Sequence, residues 1–368
     1  MKTVRSLIYR DVVWSIFFVA VAFMSLFFFI DFLEELERAT RKGGTTWMAA
    51  LAALLSLPYR FYELAPISVL IGTIYSMARL AQSSEFTILR TGGLGPGRAL
   101  LLLLRLGVLF AVLTFVAGDY IAPLGEQQAA ALRARASGGI KLGSAGAWLK
   151  EHRGAGGGEL SVTINVEATE AHGLMRGVRI FEHDAQGRLV RRIQAEHARA
   201  GDGEWTLEQA TETRWPEAGA ADAAVQERHL ATLQWPTTLD ERLVSTALSP
   251  IEGMTTFELW RYSRHLSDQE QTAQRHELIF WKRVMYPFAC IVMVALALPF
   301  AYLHARAGGI SLKVFGGIML GVAFVLLNNV VGHLGLLHAW TPWLAASMPS
   351  LLFLTLSLTA FGWLVRYR

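Results

Sequence analysis

Six long apolar segments limit the fold of this chain more than any other feature of its sequence. The hydrocarbon core of a bilayer is about 30 Å thick, and a helix needs about 20 mainly apolar residues to cross it. Each of the six segments meets this requirement. The mean hydropathy of +0.35 is nevertheless too low for a chain that lies in lipid throughout, so we expect part of it to be in water. The segments cover roughly residues 12–33, 47–78, 99–121, 280–302, 314–334 and 343–365.

The polar block between the third and fourth segments, residues 123–275, predicts a separate β-domain. It contains short stretches of alternating apolar and polar residues separated by Gly and Asp, a pattern typical of an all-β sandwich or jelly roll. Residues 129–136 and 256–274 instead predict helices that connect this domain to the neighbouring membrane segments. The alternating stretches are residues 160–166, 178–181, 189–193, 205–207 and 225–235.

The predicted fold class is therefore membrane α+β, with six transmembrane helices and a β-jellyroll domain inserted between helices three and four. Three regions follow: residues 1–122 with a coupling loop at 79–98, the β-domain with its connecting helices at 123–275, and the last three helices at 276–368. The first segment is not expected to be a cleaved signal peptide, because its apolar run is too long and ends in acidic residues.

The distribution of Lys and Arg predicts the orientation in the membrane, since short cytoplasmic loops carry an excess of both. With the N-terminus inside, the cytoplasmic side holds ten such residues, whereas the outer short loops hold three, Arg38, Arg41 and Lys42. We therefore expect both termini in the cytoplasm and the β-domain in the periplasm of a bacterium with two membranes. The formal charge of +4 is explained by these flanks and gives no reason to expect nucleic acid as a partner. The ten residues are Lys2, Arg5, Arg10, Arg79, Arg90, Arg98, Arg306, Lys313, Arg366 and Arg368.

Signatures of catalysis are missing from the sequence. It contains no G-x-x-x-x-G-K-[ST] loop, so we do not expect the chain to hold ATP by itself. His276 and Glu277 begin an H-E-x-x-H motif, but Phe280 stands where the second histidine is needed. Cys290 is the only cysteine, which excludes an internal disulfide and a cysteine-based zinc site. The chain is thus expected to be no enzyme and to hold no metal or cofactor.

One candidate site lies inside the second apolar segment, in the stretch PYRFYELAP that begins at Pro58. Arg60 and Glu63 are three residues apart, so they share a helix face and can pair. A charge inside a membrane span is costly and usually faces a cavity or the protein interior. Two interpretations remain open: a structural ion pair, or a contact between Arg60 and an anionic substrate head group.

A second candidate site is the loop at 79–98, RLAQSSEFTILRTGGLGPGR. Ser84 can cap a short helix in whose first turn Glu85 is favoured by the helix dipole. Phe86, Ile88 and Leu89 give this helix an apolar face. A short amphipathic helix between two spans has the form of a docking element for an ATPase, and the alternative is a helix that lies on the lipid surface.

Several motifs give the chain a resemblance to a known family. They are the stretch from Pro58 to Pro66, LAQSSEFTILRTGG in the loop, DYIAPLGEQQA after the third segment, LSPIEGMTTFELWRYSRHL before WKRVMYP, and GHLGLLHAWTPWLAASMP near the end. Together they make the chain similar to the permease subunits of the lipopolysaccharide exporter, LptF and LptG, over nearly its whole length. Within this family the resemblance is closer to LptG, and LptF remains the alternative.

The resemblance implies six spans, a periplasmic β-jellyroll, and extraction of lipopolysaccharide from the inner membrane. It also implies four protein partners: the sister permease LptF, an LptB ATPase dimer, LptC and, through LptC, LptA. Glu85 matches the acidic residue of the family's coupling helix, which assigns the ATPase contact to Ser84, Glu85, Phe86, Leu89 and Arg90. The chain departs from the family pattern in the acidic stretch FFFIDFLEELE of the first span and in Tyr59, where a basic residue is common.

The predicted substrate contacts combine the resemblance with local chemistry. Head-group contacts are expected at Arg60 and Glu63 and at the basic residues after the first span, Arg38, Arg41 and Lys42. In the β-domain the alternating class Leu160, Val162, Ile164 and Val166 is wholly apolar, so we expect it to face inward. Ile164 would then either accept acyl chains or belong to an ordinary closed core.

Two other classes of function compete with a transporter permease. One is a membrane-anchored enzyme, which the missing catalytic residues disfavour. The other is a sensor or scaffold whose β-domain binds an extracytoplasmic partner. A stable complex with a small soluble ATPase and a second six-span protein would separate the transporter from both.

Overall fold

The computed structural model describes two compact units. The first comprises Met1–Glu35, Ala53–Glu126 and Gln274–Arg368, and the second Leu36–Ala52 and Gln127–Ala273. The residues described are 2–42, 44–93, 95–136, 147–155, 158–169, 174–201, 203–216, 224–239, 244, 251–268, 274–302 and 309–366.

Long helices form the first unit, and six stretches of helix in the described chain are long and apolar enough to cross a membrane. This confirms the six predicted spans. The helix α4 continues through a π-helical turn, Ala117–Ile121, into α5, so that the three form one continuous helix. The helices are α1 (Lys2–Lys42), α2 (Thr46–Gln82), α3 (Glu85–Thr91), α4 (Pro96–Val116), α5 (Ala122–Ala136), α6 (Thr256–Asp268), α7 (Gln274–Tyr302), α8 (Ile310–Leu337) and α9 (Pro342–Arg366).

The helices α2 and α7 are the central ones, because most residues of their apolar stretches are buried within the protein. Fewer than a third of the residues in the corresponding stretches of α1, α8 and α9 are buried, as expected for helices that face lipid or a partner. Pro58 and Pro66 lie inside α2 without ending it. Prolines are tolerated in membrane helices because neighbouring helices and side chains satisfy the backbone groups that they free.

The second unit is built on one antiparallel sheet of six strands in the order β1 to β6. Four of the predicted strands lie entirely within β2 to β5, and the fifth corresponds to β6. The described strands form a simple meander, whereas a sandwich or jelly roll combines two sheets through Greek-key connections, so jellyroll topology stays a prediction. The strands are β1 (Ala147–Ala155), β2 (Gly158–Thr169), β3 (Leu174–His183), β4 (Leu189–Ala200), β5 (Glu204–Arg214) and β6 (Gln226–Pro236).

One face of this sheet carries the core of the second unit. Trp205 and Trp235 are fully buried on it, with ring centroids 5.9 Å apart in an edge-to-face arrangement. Tyr262 and Leu266 of α6 belong to the same apolar cluster. The helix α6 begins with a capping box, in which Thr255 and Glu258 exchange hydrogen bonds between side chain and backbone. The cluster therefore has the composition of a closed core.

A line that we call the crease crosses the sheet from β3 to β6. On each side of it runs a row of paired residues, and seven of these eight residues belong to the apolar cluster or pack against it, while Leu230 is the half-buried partner of Ala210. Within each of the four strands the two rows are three residues apart instead of two. Gly177 and Gln209 lie between the rows and have left-handed backbones, with φ of +64° and +50°. The rows are Met175, Ala198, Leu207 and Leu233, and Val178, Ala195, Ala210 and Leu230. In each of β3 to β6, the alternation of inward and outward side chains is thus reversed where the strand passes through the crease.

Candidate functional site

The loop at 79–98 contains the short helix expected from its sequence, α3. Phe86 is 3% exposed and packs edge-to-face on Tyr302, with ring centroids 5.1 Å apart. It belongs to an apolar cluster with residues of α1, α2, α4 and α7, and Leu89 packs against the same cluster. A force on α3 would therefore be transmitted to four membrane helices.

The outer face of α3 presents a different set of side chains. Glu85 is exposed, and Ile88 is 66% exposed. Ser84 precedes the helix with φ of +61°, whereas a regular N-cap residue has an extended backbone. Phe86 and Leu89 are thus anchors within this protein, and a partner would meet Glu85 and Ile88. The side chain of Arg90 lies outside the described residues.

Arg60 lies at the centre of a three-residue ion cluster in the first unit. Its Nε and Nη2 donate to the two carboxylate oxygens of Asp31 on α1, at 2.9 and 2.7 Å. Its Nη1 donates to Glu63 at 2.9 Å. The guanidinium also lies over the ring of Phe27, 5.7 Å from its centroid. Both carboxylates therefore compete with any substrate anion for the guanidinium of Arg60.

Asp31 was not identified from the sequence as a partner of Arg60, although the position of an acidic residue inside an apolar helix indicates that it has a partner. An acidic residue inside an apolar helix needs a partner, because an unpaired charge there is expensive. The side chain of Asp31 is only 9% exposed, and its bidentate pair with Arg60 joins α1 to α2. Of the five predicted head-group residues, the structure brings Arg60 and Glu63 together and adds Asp31 to them.

The remaining predicted substrate residues lie in the second unit. Arg41 is paired with Glu37 on the exposed surface of α1, at 2.6 Å. Arg38 also has an interaction partner, and the side chain of Lys42 is outside the described part. Ile164 is fully buried in the apolar cluster of the sheet. Its inward direction is as predicted from the alternation, and the described state leaves it no exposed surface.

A cavity of about 500 Å³ opens between α2, α7 and α8 in the first unit. Aromatic rings line one side of it, with the centroids of Tyr62 and Tyr286 5.0 Å apart. Its charged side chains are Glu63, Lys282 and Arg283. The two basic residues were missed, because they precede the most apolar part of α7 and resemble ordinary charges that flank a membrane span. Within the described residues, no group of three His, Cys, Asp or Glu side chains could hold a metal ion.

Comparison with known proteins identifies the family of this chain. Residues 6–364 match the family model of the lipopolysaccharide export system permease LptF/LptG. The chain belongs to the LptF/LptG family. It is 26% identical over 340 residues to the lipopolysaccharide export system permease protein LptG of Escherichia coli K12, an alignment that covers 91% of each chain. It is 25% identical over 361 residues to LptG of Haemophilus influenzae, covering 97% of each chain.

Membership in the LptF/LptG family confirms the resemblance drawn from the motifs. Together with the six apolar helices and the β-sheet, it makes the chain a multi-pass inner-membrane protein of a permease family. The cavity, the Arg60 cluster and α3 are thus features of an LptF/LptG permease.

Proposed function

We propose that this chain is the LptG-type permease subunit of an ABC transporter that extracts lipopolysaccharide from the inner membrane. The transporter would pass the lipid to a periplasmic bridge of jellyroll domains toward the outer membrane. The observation that carries this proposal is the match to one permease family over residues 6–364. The proposed partners are a sister LptF, an LptB ATPase dimer, LptC and, through it, LptA.

The energy for transport would come from the partner ATPase, since this chain has no phosphate-binding loop. We therefore assign no catalytic residue and no cofactor to it. The helix α3 is the proposed contact, because its buried face belongs to an apolar cluster with residues of four membrane helices and its outer face offers Glu85 beside the apolar Ile88. A basic residue in a groove of the ATPase would complement Glu85. Ser84 and Arg90 complete the predicted contact.

The proposed topology has both termini and α3 in the cytoplasm and the sheet in the periplasm. The ratio of ten basic residues to three in the short flanks supports this orientation. An odd number of spans, three, then separates the cytoplasmic N-terminus from the sheet. The helix α3 would lie on the side where ATP is present, as docking of the ATPase requires.

The candidate substrate contacts differ in how well the structure supports them. They are Arg60, Glu63, Arg38, Arg41 and Lys42. Asp31 and Glu63 already engage three of the five donors of Arg60, so a lipid phosphate would compete with both carboxylates and the geometry favours the structural pair. Arg41 is exposed and would exchange Glu37 for an anion at little cost, since surface ion pairs contribute only about 0–1 kcal/mol.

The acyl-chain role proposed for Ile164 requires a state in which the sheet interior is open. A photo-crosslinking residue at position 164 should capture lipopolysaccharide in that state, during ATP turnover, and none without ATP. Capture in neither state, with crosslinking intact on the outer face of the sheet, would leave Ile164 as part of a closed core.

The experiment that tests the function is co-expression with a sister permease and the ATPase, followed by purification. We expect a stable complex whose ATP hydrolysis depends on lipopolysaccharide. Rescue of a strain depleted of LptG, but not of one depleted of LptF, would assign the subunit type, and the reverse would make the chain LptF. A chain that binds neither partner and rescues neither strain is not a permease subunit of this transporter.

A further inference from the structure

The cavity between α2, α7 and α8 contains a lysine that the fold holds in place. Lys282 lies about 12 Å along α7 from its first residue, at a rise of about 1.5 Å per residue. Its Nζ donates to the backbone oxygen of Asn328 on α8, at 3.0 Å. This bond uses one of the three donors of the ammonium group. The structure thus holds the amine of Lys282 at a defined position against the backbone of α8.

Gly332 makes this position possible. It lies one helical turn after Asn328, and a β-carbon at residue 332 would overlap Nζ and Cε of Lys282. The lysine therefore lies against the backbone of α8 in a place that only glycine leaves open. Gly316 on the same helix has no comparable neighbour, since a β-carbon there would meet only the ring of Phe300, at 3.8 Å.

The charges of the cavity favour an anion. Among the described residues that line it, Lys282 and Arg283 are the basic ones and Glu63 is the acidic one. The carboxylate of Glu63 is paired with Arg60, so its negative charge is compensated from outside the cavity. Basic side chains within a membrane helix are costly and by default mark a functional site.

The surroundings of the cavity have the composition that an amphiphile requires. Val322 and Leu326 of α8 line it and are 42% and 59% exposed, so apolar surface lies beside the charged interior. Its volume of about 500 Å³ is in the range of small-ligand sites, about 300–1,000 Å³. It can therefore receive a head-group fragment, with attached acyl chains along α8.

We propose that this cavity binds an anionic phosphate group on the head of the transported lipid, with Lys282 as its principal ligand and Arg283 as the second charge. The proposal rests on the function proposed above and adds a binding site to it. Inorganic phosphate has the same chemistry as the lipid phosphate, so the test includes both sources.

The test uses the assembled transporter in phosphatidylcholine nanodiscs, with lipopolysaccharide, dephosphorylated lipopolysaccharide and inorganic phosphate as probes. Lys282→Met should weaken binding of intact lipopolysaccharide about ten- to hundredfold, as expected when a charged hydrogen bond is lost. Gly332→Ala should weaken it in the same direction by displacing the amine without removing its charge. Gly316→Ala is the matched control and should bind like the wild type. Dephosphorylated lipid should bind the wild type and Lys282→Met equally.

The outcomes separate the failure of this site from the failure of the proposed function. A wild-type complex that binds no lipopolysaccharide would overturn the function itself. A wild type that binds it, while Lys282→Met and Gly332→Ala bind equally well, would overturn only the site. Saturable binding of inorganic phosphate that Lys282→Met abolishes, without an effect on lipopolysaccharide, would assign the cavity to free phosphate and refute the lipid contact. If Lys282→Met does not assemble, Gly332→Ala alone decides between these outcomes.

Discussion

Arg60 joins two helices through a carboxylate that is almost completely removed from solvent. Asp31 accepts two hydrogen bonds from it, whereas Glu63 accepts one and is 40% exposed. The two contacts therefore differ in energy, because a pair that excludes water is stronger than one that water can replace. The link between α1 and α2 depends mainly on Asp31.

We expect Arg60→Ala to destabilise the protein by about 2–3 kcal/mol, since it leaves Asp31 buried without its partner. Adding Asp31→Asn should restore at least half of this loss, because the uncompensated charge is then gone. Thermal unfolding of the purified complex measures both changes. If Arg60→Ala unfolds like the wild type but loses lipid binding, the head-group interpretation of Arg60 is right instead.

Glu212 gives the second unit a dependence on pH. Burial raises the pKa of its carboxyl, but the hydrogen bond from Arg214 and the charge of Arg191 outweigh this effect, and the pKa is lowered. A group whose pKa is lower in the folded state stabilises it above the ordinary glutamate pKa of about 4.3. This contribution is lost as the pH falls below that value.

Hydrogen exchange of β4 and β5 in the full-length protein should therefore show protection that decreases between about pH 5 and pH 3. Glu212→Gln should lower the protection at neutral pH and flatten this decrease. Glu208→Gln on the same strand is the control, because Glu208 is 3.9 Å from its partner Arg199 and both are exposed. An equal effect of the two substitutions would contradict the role of Glu212.

At the scale of single elements, one face of α3 packs against the rest of this protein, and its other face is available to a partner. Phe86 is buried among residues of four membrane helices, whereas Glu85 and Ile88 point outward. Substitutions on the two faces should therefore have separable effects. Phe86→Ala is expected to cost about 3–5 kcal/mol of stability, as large-to-small changes in a core do.

Glu85→Ala and Ile88→Ala should instead weaken ATPase docking and leave the stability of the chain unchanged. Loss of one partner of a desolvated charge pair costs about 2–5 kcal/mol, so we expect at least a thirtyfold weaker complex for Glu85→Ala. Binding of the ATPase to the permease in detergent measures this change. Thr87→Ala, also exposed on α3, is the matched control. Normal docking and coupled hydrolysis with Glu85→Lys would exclude the contact.

For the whole molecule, the proposed topology places the sheet in the periplasm and α3 in the cytoplasm. Gln186 lies in the exposed turn between β3 and β4, and Gly97 is exposed at the start of α4. In a Cys290→Ala background, an impermeant thiol reagent should label Gln186→Cys in spheroplasts and spare Gly97→Cys. Both should react after the membrane is dissolved. Labelling of Gly97→Cys alone in intact spheroplasts would invert the topology.

Most of the fold follows from patterns within single segments. The six spans and the strands β2 to β6 are predictable because apolar run length and alternation are local properties. The link between Asp31 and Arg60 joins residues 29 apart on different helices, and a single sequence does not state which helices are neighbours. Lys282 resembles an ordinary flanking charge in the sequence, because its contacts with Asn328 and Gly332 of the next helix appear only in the fold. The crease was missed because strict alternation is the rule that it breaks.

The crease also restricts how homologous chains can change in length. The described turn between β3 and β4 is at the rim of the sheet, where an added residue alters only a loop. Between the two inward rows, by contrast, one deleted residue would turn the rest of that strand inside out, because side chains alternate with a period of two. The other three strands of the crease would keep three residues between their rows, so the altered strand would no longer pair with them in register. Insertions and deletions among relatives should therefore gather in the turns and be absent from the crease, unless four strands change together.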